Sequence, residues 1–366
     1  MSQAHQKFVQ LHKALNASLI ERDEEIACLL VALAAGEHLL LVGPPGTAKS
    51  ALCNSLLDSL SGEIAYFERL LGKYSKPEEL FGPPSLKALK DDRFEHKIEG
   101  FLPSAHLSFV DEIGKASPAI INSLLTIMNE RKFDNGPDRI DCPLRILVAA
   151  SNEWPVGEGF ETCGAMFDRF LLRKAVSYVT PLSLKDVIFA ELSKVPEILS
   201  LEDIDAAVAE SASIPWSESG KEAYLKILDR LRSEGIRPSD RRCRKSARLA
   251  RAAAWLRGAS EVLPEHLEVL QHALWEDPVE HPQKVSEVVI EVSNPGAKKL
   301  AQLLVEAREL VESVNTRNVT GETYGQLAKL TEVCNKLRDL PGDRAKEAHA
   351  KILGQAKELN QAVLRA

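Results

Sequence analysis

The stretch LLLVGPPGTAKSALCNSLL, residues 39–57, constrains this chain more than any other. A short apolar strand runs into Gly43-Pro44-Pro45-Gly46-Thr47-Ala48-Lys49-Ser50 and then into a helix, the setting in which a phosphate loop works. Backbone N–H groups turn inward on the anion, the lysine reaches the outer phosphates and the neighbouring hydroxyl holds Mg²⁺. Ala48 departs from the usual pattern, which has glycine before the lysine. With ordinary helical backbone angles the extra methyl is harmless; with φ > 0 it costs on the order of 1 kcal/mol.

The chain around the loop reads as alternating strands and helices. Apolar runs at Leu39 to Val42, Ile64 to Phe67, Leu107 to Val110, Leu144 to Ala150 and Leu171 to Val179 are separated by helical stretches such as Pro118 to Glu130. That alternation predicts an α/β domain, with a parallel sheet and helices on both faces. Two amphipathic helices precede it in residues 1–35, the second opening on Asp23-Glu24-Glu25. After Pro181 the pattern turns helical, which predicts a separate all-α domain. WEDPVEHPQKVSEVVIEVSNPGAKK reads as a linker because of its prolines, with a short strand at Val288 to Val292. Beyond it, Leu300, Leu303, Leu304, Ala307, Leu310, Val311 and Val314 share one helical face, and Leu327, Leu330, Val333, Leu337 and Leu340 share another. Such stripes predict a small bundle, the alternative being a coiled-coil partner surface.

Two further strands end in residues that suit phosphate chemistry. LSFVDE closes on Asp111, placed to hold the Mg²⁺ water shell, and Glu112, placed to polarise an attacking water. These carboxylates follow the phosphate loop by about 60 residues. LRILVAASNEWP brings in Asn152, a neutral amide able to hold a water or a γ-phosphate oxygen. AMFDRFLLRKAV offers Arg169 and Arg173 to neutralise charge on that phosphate, one of them from a neighbouring subunit. In RPSDRRCRKSARLARAAAWL, Arg241 opens a helix from which it can fold back onto the bound nucleotide, with Arg242 and Arg244 as rivals for the contact.

Composition narrows the classes. A net charge of -7 and a pI near 5.8 argue against broad nucleic-acid binding. The six cysteines lack paired spacing, so neither a zinc site nor a disulfide framework is expected; they read as reduced thiols of a cytoplasmic protein. No apolar run approaches the roughly 20 residues of a membrane span.

With these residues assembled, the chain resembles the MoxR family of AAA+ ATPases, and its RavA-type branch in particular, from about residue 10 to residue 278. The resemblance rests on GPPGTAKS, in which this family commonly carries the alanine, SKPEELFGPPSLKALKDD, GFLPSAHLSFVDEIGKASPAIINSLLTIMNER, LVAASNE, DRF, SDRR and LWEDP. It implies a P-loop domain with a five-stranded parallel sheet over residues 1–180, a helical lid over 181–278 and a linker with a helical C-terminal segment over 279–366. It also implies ATP and Mg²⁺ bound by residues 43–50 and Asp111, with Ser50 and Asp111 on the metal. Glu112 then matches the Walker B base, Asn152 sensor 1, Arg169 the arginine finger and Arg241 sensor 2, beside which Asp240 replaces a frequent proline. Further implications are a homohexameric ring, a partner bearing a von Willebrand factor A domain, and a protein client remodelled during enzyme maturation or metal insertion. Two inserted hairpins belong to the pattern, and SLKALKDDRFEHKIEGFLPSAH and ERKFDNGPDRIDCPLR are their counterparts here. The RavA-type β-rich insertion has no counterpart in the helical tail. A nucleic-acid motor or loader is the alternative, and it calls for basic hairpins where the first insert is mixed in charge.

Overall fold

The computed structural model describes residues 2–154, 164, 166–180, 183–191, 193–314, 321–340 and 343–365. Five strands, β1 (Leu39–Val42), β2 (Tyr66–Leu70), β3 (Leu107–Asp111), β6 (Ile146–Ser151) and β7 (Leu172–Ala175), form one sheet in the order β2-β3-β6-β1-β7. Every pairing in it is parallel. The three central strands are buried along nearly their whole length because both faces are covered, which is why they read as mostly apolar runs. Edge strand β2 buries only Phe67 fully, and its alternating YFERL pattern lies two to three residues beyond the apolar run expected at 64–67.

Helices α1 (Gln3–Ser18), α2 (Asp23–Ala35), α3 (Lys49–Asp58), α4 (Glu78–Phe81), α5 (Leu86–Lys90) and α6 (Pro118–Glu130) accompany the sheet in the chain, with α2 and α3 directly against it and α1 packed on α2. The boundaries of α6 follow from its sequence. Ser117 caps the Ile120 N–H, Pro118 occupies the first turn, and Ile120, Ile121, Leu124, Ile127 and Met128 bury one stripe. That stripe joins Leu40, Val110, Leu147 and Phe170 in the core beside the sheet. Between α6 and β6, β4 (Lys132–Asn135) and β5 (Asp138–Asp141) form the expected antiparallel hairpin around Gly136-Pro137.

The first insert is not a hairpin of strands. Ser85 caps a short helix, α5, and the segment closes through an isolated bridge between Pro84 and His96. It is stitched to the second insert by the Asn135 side chain, whose Oδ1 accepts from His96 N at 2.6 Å while Nδ2 donates to His96 O at 3.2 Å. Gly136, at φ 67°, is required there, because a Cβ would lie 1.9 Å from the Phe94 carbonyl oxygen.

Residues 1–286 form one compact unit and residues 287–366 another. In the first unit the helices Leu201–Ser213 and Asp240–Leu256 pack directly on α2. The proline-rich stretch expected as linker and strand is instead a helix, His281–Ser293. Pro282 falls in its first turn, where no N–H is needed, and Val285, Val288 and Val289 repeat at helical spacing on a buried face. In the second unit, helices Pro295–Ser313, Gly321–Arg338 and Asp343–Arg365 meet around Leu303, Ala307, Leu330, Val333, Leu337 and Ile352, as a small bundle. The five described cysteines are free, and Cys163 lies outside the described residues. Among the described residues no helix is long and apolar enough to cross a membrane.

Candidate nucleotide site

Adjacency of β3, β6 and β1 brings three C-terminal strand ends together: Asp111-Glu112, Asn152 and the loop from Gly43. Clefts beyond the carboxyl ends of parallel strands are the usual ligand sites of such sheets. The loop is bolted to its neighbours. Gly43 N donates to Ser151 O at 3.0 Å, and Val176 N to Val42 O at 2.7 Å. Gly43 permits this approach, since a Cβ would lie 2.0 Å from the Val176 carbonyl oxygen. At the crest Pro45 and Gly46 are exposed, whereas Thr47 is buried and its hydroxyl donates to Pro44 O.

Ala48 is left-handed, with φ 64° and ψ 24°, immediately before α3. The backbone therefore takes the conformation in which the methyl is strained. Replacing Ala48 by glycine relieves about 1–2 kcal/mol of strain against an entropic cost of ~0.4–1 kcal/mol in the unfolded chain. Ala48→Gly is thus expected to raise the thermal midpoint by up to about 4 °C while leaving nucleotide affinity within roughly threefold of the wild type. A calorimetric scan with an ATP titration checks both, and a lowered midpoint would show that the methyl is not strained.

Lys49 is nearly buried, and its ammonium donates to the Gly43 and Pro44 carbonyls at 2.6 and 2.9 Å and approaches Asn152 Oδ1 at 3.4 Å. Burial pushes its pKa below the usual lysine value, against the opposing pull of Asp111 and Glu112. Asp111 Oδ1 accepts the Glu112 N–H at 2.8 Å. Glu112 itself is left-handed at φ 54°. Asn152 Nδ2 donates to Glu112 Oε1, so the amide links the lysine to the carboxylate. The Asp111 carboxylate and the Ser50 hydroxyl are the hard oxygen donors that Mg²⁺ prefers, and the loop N–H groups precede the positive end of α3, so these residues fit a metal-bound triphosphate.

Arg22 was not singled out by its sequence context, yet it is buried against the loop. Its Nε donates to Thr47 O at 3.1 Å and its Nη2 to Ser177 O at 3.0 Å. Neighbouring Glu21, left-handed at φ 52°, accepts from Thr180 N, Thr180 Oγ1 and Ser183 Oγ, so this pair ties the loop to the segment leading out of β7. An isolated Glu-Arg in a turn carries no sequence signal for such a role.

The remaining arginines lie elsewhere. Arg169 precedes β7 and so sits at the opposite end of the sheet from the phosphate loop, across a four-residue strand spanning roughly 13 Å. Arg241 lies there too, bonded to Asn129 Oδ1 at the end of α6, and does not fold back onto its own phosphate loop as expected. Burial, and then the charge of Arg241, lower the pKa of Arg169, whose Nε is buried without a partner. The reason for this placement is Arg242. It is buried, donates to Asp168 Oδ1 at 3.1 Å and to Ala273 O at 2.6 Å, and so anchors the start of its helix at that end. Arg173 is likewise structural, its guanidinium 4.0 Å from the centre of the Trp275 ring and donating to Trp275 O. Arg244 is exposed.

Comparison with known proteins places the chain among MoxR-type proteins. The family model of the MoxR domain in the MoxR-vWA-beta-propeller ternary systems matches residues 6–202, and an AAA lid domain model matches residues 223–289. An uncharacterized protein of Methanocaldococcus jannaschii is 39% identical over 83% of this chain and 80% of its own length. Chaperone MoxR1 of Mycobacterium tuberculosis is 26% identical over 47% of this chain and 44% of its own length. A crystal structure of a candidate ATPase from Cytophaga hutchinsonii shares the fold with a TM-score of 0.63 at 19% identity, over 78% of this chain and 94% of that one.

Proposed function

The chain belongs to the MoxR family of AAA+ ATPases, and from that premise we propose that it hydrolyses Mg²⁺-bound ATP in a ring of identical subunits and uses the cycle to remodel a protein partner. Convergence of Lys49, Asp111, Glu112 and Asn152 at three adjacent strand ends carries this reading. Lys49 would hold the outer phosphates, Ser50 and Asp111 the metal, and Asn152 the γ-phosphate side of the site. Bound Mg²⁺ supplies charge neutralisation across the phosphates. Glu112 accepts the proton of the attacking water.

The separation of Arg169 from its own phosphate loop supports a shared site, in which Arg169 and Arg241 of one subunit reach the triphosphate of the next. The charge of Arg241 disfavours that of Arg169, and an incoming anion would relieve this repulsion. The helix Leu184–Phe189 also supports self-association, because it buries none of its residues and leaves Leu184, Ile188 and Phe189 exposed near the loop end. A von Willebrand factor A partner is supported by the family description, which names MoxR-vWA-beta-propeller ternary systems. The quoted motifs carry the RavA-type resemblance, whereas the matched model is that of the ternary systems, and the proposed partner follows the latter. Client remodelling in enzyme maturation or metal insertion, in the cytoplasm, completes the reading, and the chaperone name of a relative supports it.

The direct test is phosphate release from Mg²⁺·ATP by the purified chain, with its mass measured by light scattering with and without nucleotide. Turnover together with a nucleotide-dependent hexamer is the expected result; a monomer that turns over at full rate would remove the shared site.

A further inference from the structure

A second side chain holds the water-polarising carboxylate. Glu112 is followed by a single tight turn, Ile113–Lys115, pinned by the buried Ile113 and Ala116. The turn carries Lys115 back over Glu112, with Nζ 3.4 Å from Oε2. Asn152 Nδ2 meanwhile holds Oε1. Both carboxylate oxygens are therefore engaged by protein donors, which leaves fewer of the carboxylate's roughly four acceptor sites for water.

The two donors differ in how they are held. Asn152 follows the last residue of β6, a central strand, and also lies beside Lys49. Lys115 stands on a flexible four-carbon stem with its side chain 53% exposed, while that of Glu112 is 11% exposed. An ion pair with one partner in solvent is weak and readily exchanged. An ammonium in that position is also drawn by any new negative charge at the mouth of the site.

We propose that Lys115 is a positioning residue that parks Glu112: in the nucleotide-free protein it holds Oε2, and the charge of a γ-phosphate competes for the ammonium and frees the carboxylate to take a proton from water. This inference rests on the ATPase reading for its second half only, since the pair itself stands on the geometry of Lys115, Glu112 and Asn152.

Zero-length cross-linking of the full chain with a water-soluble carbodiimide reads the pair directly. The reagent activates the Glu112 carboxylate, the neutral Lys115 amine displaces it as a urea, and an amide forms with net loss of one water. Peptide mass spectrometry is expected to find the Glu112–Lys115 link without nucleotide, to find its yield at least halved with Mg²⁺ and a non-hydrolysable ATP analogue, and to find none in Lys115→Arg. In steady state, Lys115→Met is expected to raise kcat two- to fivefold at unchanged KM, and Lys115→Arg to restore the lower rate. Absence of the link without nucleotide, an unchanged yield when the analogue is separately seen to bind, or a Lys115→Met kcat equal to or below the wild type would each overturn the proposal. Failure of the analogue to bind would overturn the ATPase reading instead, and the nucleotide-free link would still decide whether the carboxylate is parked.

Discussion

Glu112→Gln is expected to bind ATP with wild-type affinity and to lose turnover by on the order of 10²-fold or more, the usual contribution of a positioned general base. The substitution keeps the size of the side chain and an oxygen for the Asn152 amide, so the link from Glu112 through Asn152 to Lys49 survives. What it removes is the ability to accept a proton. In the proposed site, binding would be carried by other groups: Lys49, the loop N–H groups, and Ser50 and Asp111 on the metal. The variant should therefore accumulate with ATP bound, and in a ring it should hold the assembled state. The measurement is single-turnover phosphate release beside an equilibrium nucleotide titration. Unchanged release would take the proton-accepting role away from Glu112, whereas a joint loss of binding and release would point to a collapsed site, which the conserved shape of glutamine makes a separable outcome.

Much of this site was legible because it is local. A phosphate loop, a strand ending in Asp-Glu and a strand ending in Asn each carry their meaning within a dozen residues, and the parallel order of the sheet then brings their ends together. β1 and α6 matched their expected bounds for the same reason: one is a continuous apolar run, the other begins at a Ser-Pro pair. The misreadings came where a local rule met a competing one. Prolines at 278, 282 and 295 suggested a linker, but Pro282 falls in a first helical turn and the valine spacing that follows is helical. Long-range placement was not legible at all. Nothing near Arg241 says that buried Arg242, paired with Asp168, fixes its helix at the far end of the sheet. Nothing near Arg22 says that it braces Thr47, and nothing in DEIGK says that the lysine turns back onto the glutamate. Ala48 lies between these cases. Its sequence raised a question about φ, and only the backbone answered it.

That far-end placement leads to the other large effect. Arg169→Ala is expected to retain ATP binding and lose roughly a thousandfold in turnover, within the range for an arginine that stabilises charge on a transferring phosphoryl group. If Arg169 served its own site, it would have to cross the length of β7, with Arg242 and Asp168 holding its neighbours in place. Acting on the next subunit requires no such movement. The two arrangements part company in mixtures. Glu112→Gln removes the base of a subunit's own site but leaves its Arg169 intact, and Arg169→Ala does the reverse. Mixed rings then contain interfaces in which a wild-type Glu112 faces a wild-type Arg169, and turnover should return, with a maximum at intermediate mixing. Were Arg169 to act within its own subunit, every site in the mixture would lack one group or the other and turnover would stay at the level of the separate variants. Arg173→Ala provides the contrast: it removes a buried guanidinium from the face of Trp275, so its effect should appear in the thermal midpoint, and mixing it with Glu112→Gln subunits should not restore it.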